Sequence, residues 1–352
     1  MQQKSFLLYG ANGYTGELIA RYACQYELQP VLAGRRRNAI EPLATRLGLP
    51  FRIIDLHDKP SLKTALQEFS LVVHAAGPYD VTAQPMIEAC LATHTHYLDL
   101  NGDSTVFEMI QGYDTAAKAK DIMLLPGAGF DVVPTDCLAL WLKNRLPDTT
   151  TLQIAFAILG SSLSRGTSIT TLQQLGLPGA TRQNGVLVPE PMGKRSLWVN
   201  FPGGKKPVFT MSIPWGDLST AYFSTGIPNI QTYTAMSRVA WWLSKIQFLF
   251  NWLLRTRLVK GIAKRIIHHL PAGPGDTKRD KAMSLIWAKA TNAQGQSLTA
   301  TMRCPEGYSL TASTVLLIAQ KILNGHFTPG YQTPASAYGE DLIMEIPGVS
   351  RT

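Results

Sequence analysis

The chain has 352 residues but only four cysteines, Cys24, Cys90, Cys137 and Cys304, scattered along its length. None forms a CxxC pair or sits at His/Cys ligand spacing, so no metal site is expected and a reducing, cytoplasmic setting is. Long apolar runs are missing too: the greasiest stretch is interrupted by Lys245, which argues against a transmembrane span. The net charge of +9 comes without zinc-ligand spacing, an RNP-like aromatic motif or a helix-turn-helix pattern, and this excludes a nucleic-acid module. Internal repeats and low-complexity tracts are absent. The first strand begins so near Met1 that no room is expected for a secretory signal. Charged residues make up 16% against 45% hydrophobic, a balance that allows sizeable cores and excludes disorder. The length exceeds what one core serves, so two domains are expected.

A local absence is more telling. Residues 5–16 read S-F-L-L-Y-G-A-N-G-Y-T-G, an apolar strand flowing into Gly10, Gly13 and Gly16 and then into the helical pattern Leu18, Ile19, Tyr22, Ala23. In this order the first glycine turns the chain, the second admits a pyrophosphate and the third lets the helix pack closely on the sheet. The helix start adds N–H groups and partial positive charge. The loop Gly10, Asn12, Gly13, Tyr14, Thr15 and Gly16 is therefore expected to hold a dinucleotide. About twenty residues on, where an NAD site usually places a carboxylate for the ribose 2′-hydroxyl, there is none. The second strand instead ends in Gly34, Arg35, Arg36 and Arg37. Guanidinium groups pair with a 2′-phosphate, so the expected cofactor is NADP(H).

Strands expected at 5–10, 30–34, 51–55, 70–76, 96–100 and 122–126 alternate with helices near 14–27, 38–47, 60–67, 83–93 and 104–120. Alternation of this kind makes an α/β fold, a Rossmann-type doubly wound parallel sheet whose ligands lie at the strand ends. Asp55 closes the third strand, where it can flank an adenine. Ala76, Gly77 and Pro78 follow the fourth, small enough to admit the cofactor backbone, with Tyr79 beside them. Asp131 follows the sixth. Tyr79 is expected as general acid, with Asp131 as its orienter or a second acid. Stacking on the nicotinamide ribose is the plainer role for Tyr79, and service at the next helix start the plainer role for Asp131.

The motifs G-A-N-G-Y-T-G, L-A-G-R-R, A-A-G-P-Y, H-Y-L-D-L-N-G-D and P-G-A-G-F-D-V-V-P-T-D, in that order over the first ~140 residues, resemble saccharopine dehydrogenase-like oxidoreductases. The likeness runs to the branch that includes trans-acting enoyl reductases, and continues more faintly in G-Y-Q-T-P-A-S-A-Y-G near the C-terminus. It implies hydride transfer between NADPH and a C=N or activated C=C bond. A Tyr-x-x-x-Lys pair, which short-chain dehydrogenases need on one helix face, is absent.

Residues 1–150 are thus expected to form the NADP-binding domain and 151–309 an α+β substrate domain, with 310–352 packing back on the first. The charge is uneven. The first 150 residues hold 13 Lys+Arg against 16 Asp+Glu, the remainder 20 against 8. Between Asp217 and Asp276 there is no acidic residue at all, while Arg238, Lys245, Arg255, Arg257, Lys260, Lys264 and Arg265 are basic among tryptophans and aliphatics. The segment 236–270 fits a pair of amphipathic helices lying at a membrane surface, or buried at an interdomain or homodimer interface. The aromatic and aliphatic excess suggests a small-molecule substrate with an apolar chain. Two alternatives stand: an imine-forming amino-acid dehydrogenase gripping carboxylates with Arg165, Arg182 and Arg195, or a non-catalytic, membrane-associated NADP-binding protein.

Overall fold

The computed structural model describes residues 4–174, 178–204, 206–246 and 256–352. Contacts divide the chain into two units, one running to Val133 and including Tyr308–Gly339, the other Pro134–Gly307 with Glu340–Thr352. Residues 134–150 and 340–352 therefore group with the second unit, whereas the expectation put both with the first. The reason is strand pairing: Thr149 opens a long strand of the second sheet, and Ser350–Arg351 add an edge strand to that same sheet.

In the first unit β1 (Lys4–Tyr9), β2 (Leu28–Gly34), β3 (Phe51–Ile53), β4 (Leu71–His74), β5 (His96–Asp99) and β6 (Met123–Leu125) are parallel, ordered β6-β5-β4-β1-β2-β3. Gly330–Tyr331 extends the β6 edge as a seventh, parallel strand absent from the sequence reading. The order reverses between β1 and β4, and in a sheet of this type the ligand crevice opens at that point. β4 is buried throughout and β1 from Phe6 onward. Phe6, Leu7 and Leu8, like Leu71, Val72 and Val73, are 0% exposed, as strands with helices on both faces require.

The crossovers are α1 (Tyr14–Tyr22), α2 (Arg37–Leu47), α3 (Lys59–Leu66), α4 (Tyr79–Thr93), α5 (Ser104–Gln111) and α6 (Asp114–Ala119). The single helix expected over 104–120 is broken at Gly112 and Tyr113, where Gly112 ends α5 with its N–H on the Glu108 carbonyl. α4 begins four residues earlier than expected, just beyond the cis Gly77–Pro78 bond, so Tyr79 is its first residue. The helix Gly307–Leu323 buries Leu310, Val315, Leu316 and Ile318 in the same unit.

The second unit is built on a mixed sheet. Its strands are β7 (Thr149–Leu159), β8 (Gly179–Gln183), β9 (Val186–Glu190), β10 (Ser196–Val199), β11 (Val208–Ser212), β12 (Asn229–Ala235), β13 (Met283–Asn292) and β14 (Ser297–Pro305). The main path runs β10-β11-β12-β7-β13-β14 and is antiparallel except for the parallel pair β12–β7. One face of the sheet gathers Ala155, Ala157, Val199, Phe201, Tyr233 and Leu285 into a core. This is the expected α+β unit, although β8, β9 and β12 and the helix Asp217–Thr225 were not anticipated. β12 escapes notice because N-I-Q-T-Y-T-A carries more polar residues than apolar ones, and its pairing is decided by β7 and β11.

Gly10 and Gly48 both have positive φ, at +88° and +65°, but only Gly10 is crowded: a Cβ there would lie 2.7 Å from the Ala75 backbone. Gly48→Ala should cost about 1 kcal/mol, the left-handed penalty alone. Gly10→Ala should cost about 3 kcal/mol or more, because overlap with immovable backbone is added. Urea unfolding of the two variants checks this, and equal losses would mean that the approach of β1 to β4 is not tight.

Candidate functional site

The glycine loop is shaped by backbone contact at the strand-order reversal. Gly10 N–H donates to the Ala33 carbonyl (2.8 Å) and Gly13 N–H to the Gly10 carbonyl (2.9 Å), folding the loop tightly between β1 and α1. A Cβ on Gly16 would collide with the Gly10 carbonyl oxygen and lie 2.9 Å from the Ala11 Cα, so α1 can lie this close only with glycine there. Gly13 is the N-cap and offers no side-chain oxygen to close the first turn. That leaves an open helix N-terminus of the kind that holds phosphate. Asn12 is exposed, Tyr14 and Thr15 are half-buried, and the Tyr14 ring stands edge-on to Tyr308 at 5.0 Å.

Beyond β2, Gly34 is confined by Ile40 and by the Asn12 amide oxygen, which a Cβ would meet at 3.0 and 3.2 Å. The three arginines that follow are not equivalent. Arg37 is tied to Glu41 at 3.5 Å and lies over the Phe51 ring. Arg35 and Arg36 are exposed and engage in no ion pair among the described residues. Asp55 is exposed after β3, accepts the His57 N–H at 3.0 Å, and with burial helps push the Tyr9 phenol up to about 12. These groups fit a dinucleotide: an uncapped helix start where no Cβ intrudes, and two uncommitted cations where a 2′-phosphate needs them.

Next to the cradle, the ends of β4, β5 and β6 carry a buried polar cluster. His74 and Asp99 face each other in register. The Asp99 carboxylate accepts the Asn101 and Gly127 N–H groups, both at 2.8 Å, and the Tyr97 hydroxyl at 2.7 Å. The Tyr97 oxygen also meets His74 Nδ1 at 3.2 Å, while His74 Nε2 is buried with no partner among the described residues. Burial lowers the His74 imidazole to about 3, so it is neutral near pH 7, and raises Asp99 to about 6 despite its three hydrogen bonds. Burial also raises Tyr97 far above the usual phenol range, and its proton stays in place.

Both expected proton donors lie in this cluster. Tyr79 packs edge-on against His74 at 5.4 Å and donates its hydroxyl to the His74 carbonyl at 3.2 Å. Its pKa is raised by burial, then by the charges of Asp99 and Asp131. Asp131 differs in that no donor among the described residues reaches its carboxylate, and burial alone raises it to about 6. Its Oδ2 presses on Gly102, where a Cβ would approach within 2.7 Å. The loop carrying Asp131 is held from outside the sheet: Thr311 accepts the Phe130 N–H at 3.0 Å, and Thr314 donates to the Ala128 carbonyl at 2.8 Å. Ala76 accepts from the Thr82 hydroxyl at 2.8 Å, while Gly77 and Pro78 are exposed at the rim.

Sequence reasoning passed over His74, Tyr97, Thr311 and Thr314. Tyr97 had a signal, since H-Y-L-D places Tyr97 and Asp99 two apart on one strand face. The two threonines had none, lying some 180 residues from the loop they brace. The three arginines considered for gripping carboxylates are all engaged within the second unit. Arg182 is buried, bonded to the Leu218 and Gly185 carbonyls and stacked on Tyr222. Arg195 forks onto Glu190 at 3.0–3.2 Å, and Arg165 donates to the Leu270 carbonyl at 2.6 Å.

The fold, the open helix start and the unpaired arginines define an NADP-binding domain of the kind oxidoreductases carry. More particularly, residues 6–125 match the family model of the saccharopine dehydrogenase NADP binding domain. A saccharopine dehydrogenase-like oxidoreductase from Bos taurus is 26% identical over 182 residues, 46% of this chain and 42% of that protein. The match thus spans less than half the length of that relative. A trans-acting enoyl reductase from Mycobacterium leprae is 28% identical over 148 residues, 40% of this chain and 35% of that one. A lipid droplet localized protein from Caenorhabditis elegans is 22% identical over 98% of this chain and 96% of its own. Among solved structures, apo saccharopine dehydrogenase (L-Glu forming) from Saccharomyces cerevisiae superposes with a TM-score of 0.69 at 15% identity, covering 99% of both chains. The Rossmann-type fold and the NADP(H) cofactor are thereby established.

Two outcomes follow from this geometry. Replacing Arg35 and Arg36 together by Ala should weaken NADPH roughly 10- to 100-fold and leave NADH within a few-fold, whereas Arg37→Ala should leave the preference intact. Fluorescence titration with both cofactors decides it, and an unchanged preference in the double variant would move phosphate recognition elsewhere. The second outcome concerns Asp131. An acid with a higher pKa folded than unfolded binds more protons in the native state, so its ionisation is a cost absent below the ordinary carboxylate range and complete above about 6. Asp131→Asn should therefore stabilise the protein by about 1–3 kcal/mol near neutral pH, the gain vanishing toward pH ~4. Thermal melts at the two pH values test it, and a pH-independent difference would show that the carboxylate carries no burial penalty.

Proposed function

We propose that the protein is an NADPH-dependent oxidoreductase that reduces an activated C=C or C=N bond in a small molecule bearing an apolar chain. The observation that carries this reading is Asp131: a half-buried carboxyl, raised to about 6 and accepting no hydrogen bond from the described residues, at the sheet edge that also forms the dinucleotide cradle. A group kept at such a cost to stability suits a proton donor, since general acids work best with pKa values near the working pH. When bound, NADPH supplies the hydride. The loop Gly10–Gly16 and Arg35 and Arg36 bind and orient it. Asp131 holds the proton that the reduced atom takes up. Tyr79, with its hydroxyl already given to the His74 carbonyl, walls the site and excludes water, and its high pKa keeps it from ionising beside the two carboxylates.

The same observation speaks against a cofactor-binding protein without turnover, which gains nothing from an uncompensated carboxyl. The commitment of Arg182 to backbone carbonyls and of Arg195 to Glu190 speaks against a substrate with several carboxylates, and so favours an enoyl or imine substrate with apolar character. No helix among the described residues is long and apolar enough to cross a membrane. The setting proposed is cytoplasmic, with the substrate drawn from or near a lipid phase. That proposal agrees with a relative named for lipid droplets and another named as an enoyl reductase.

NADPH consumption against a panel of enoyl thioesters and cyclic imines tests the assignment. Asp131→Asn should lower kcat at least ~100-fold with NADPH affinity within a few-fold, and Tyr79→Phe less than ~10-fold. In the parent, kcat should fall as pH rises past the donor's pKa, and that limb should disappear in Asp131→Asn. Full turnover in the Asp131 variant would hand the donor role to Tyr79, and no NADPH consumption on any substrate would favour a sensing or structural role.

A further inference from the structure

We infer that the second unit carries a docking surface for an anionic lipid leaflet, formed by the helices Arg238–Ile246 and Arg257–His269. This inference is independent of the catalytic reading, because it rests on none of the groups of the cofactor cradle or the proton-donor cluster. Residues 247–255, part of the basic segment singled out in the sequence, lie outside the described residues and contribute nothing to it. In the helix Arg257–His269, Ile262 and Ile266 are spaced by four, and Leu270, the C-cap, continues the stripe. All three face solvent, at 52%, 61% and 47% exposure. Val259, Ala263 and Ile267 continue the same apolar arc and are half-buried, so the helix buries one flank of its apolar face and leaves the other open. Lys264, Arg265, His268 and His269 are exposed alongside the open stripe.

The helix Arg238–Ile246 repeats the arrangement. Val239 and Trp242, three apart on one face, are 71% and 60% exposed. Trp242 ends an aromatic chain that runs edge-to-face through Trp241 and Phe209 to Trp198, itself 61% exposed, with centroid spacings of 5.4 Å at each step. The Trp241 indole N–H is fixed on the Gly193 carbonyl at 2.8 Å, and Lys245 lies over the Trp241 ring while donating to the Lys194 carbonyl. The chain is therefore held rigidly by groups behind it, and its outer ends remain open. Isolated exposed apolar residues are ordinary, but stripes on two helices are not.

Charge selects the occupant. No carboxylate occurs from Leu218 to Gly275, so every charge that the two helices themselves carry is positive. A second copy applying the same surface would set cations against cations. A leaflet with anionic headgroups meets both features at once, taking the tryptophans at headgroup depth and the lysines and arginines against phosphate.

Cosedimentation of the full chain with vesicles tests the inference. It should pellet with vesicles of equal parts phosphatidylcholine and phosphatidylglycerol at low salt, stay in solution with pure phosphatidylcholine, and release partly as salt rises. Ile262→Ser with Ile266→Ser, Trp242→Ser, and Lys264→Glu with Arg265→Glu should each weaken vesicle binding at least tenfold. NADPH affinity should be unchanged in all of them, which shows that the variants are folded. A protein that remains in the supernatant overturns the proposal. So does one whose vesicle binding ignores the charge reversal, or a dimer in light scattering that the same apolar substitutions convert to monomer.

Discussion

Asp99 is the residue through which the polar half of the first unit is organised. Sitting at the end of β5 with no exposure, its carboxylate collects two backbone N–H groups from two different loops and a hydroxyl from its own strand. One loop carries Asn101 and Gly102 and the other runs from Gly127 to Asp131, so a single carboxylate ties together the two segments across which Asp131 packs on Gly102. The third bond holds Tyr97, and Tyr97 holds His74, against which Tyr79 leans. A buried carboxylate is costly unless its lone pairs are used. Here their use converts the cost into positional order for groups that do not contact it.

Asp131 shows the converse. It is half-buried beside Gly102, and it receives none of the donors that Asp99 receives. Two carboxyls with comparable pKa values thus have different reasons for them: Asp99 remains raised although hydrogen bonds work to lower it, and Asp131 is raised because nothing does. The first is a brace, and the second is the group whose protonation the surroundings leave adjustable. Thr311 and Thr314 stiffen the loop between them, so this adjustability does not come from a loose backbone.

The same distinction between committed and uncommitted groups separates the cations. Of three consecutive arginines after β2, Arg37 is drawn into its own helix by Glu41 at i+4, and Arg35 and Arg36 have no such pair among the described residues. In the second unit Arg182 and Arg195 are absorbed by carbonyls and by Glu190. A guanidinium already holding carbonyls in a buried setting cannot be recruited by a substrate without breaking those bonds. Residue type alone does not distinguish these cases.

What the sequence by itself determined is the part of the protein governed by local rules. The strand–glycine–helix order of residues 5–16, the missing carboxylate and the arginines after β2, and the alternation of apolar runs with helical periods all act over a few residues. They were sufficient for the parallel sheet and the choice of NADP(H). The break between α5 and α6, the polar strand β12 and the short edge strand Gly330–Tyr331 depend on what lies opposite them, and no local pattern marks them. Tertiary structure alone decided the electrostatics: that His74 is buried and neutral, that Asp131 lacks the donors Asp99 has, and that Thr311 reaches across 181 residues to the loop beside it. Burial and hydrogen-bond partnership are properties of the packed neighbourhood. They set the protonation state of a side chain, and with it the chemistry, only when distant segments have come together.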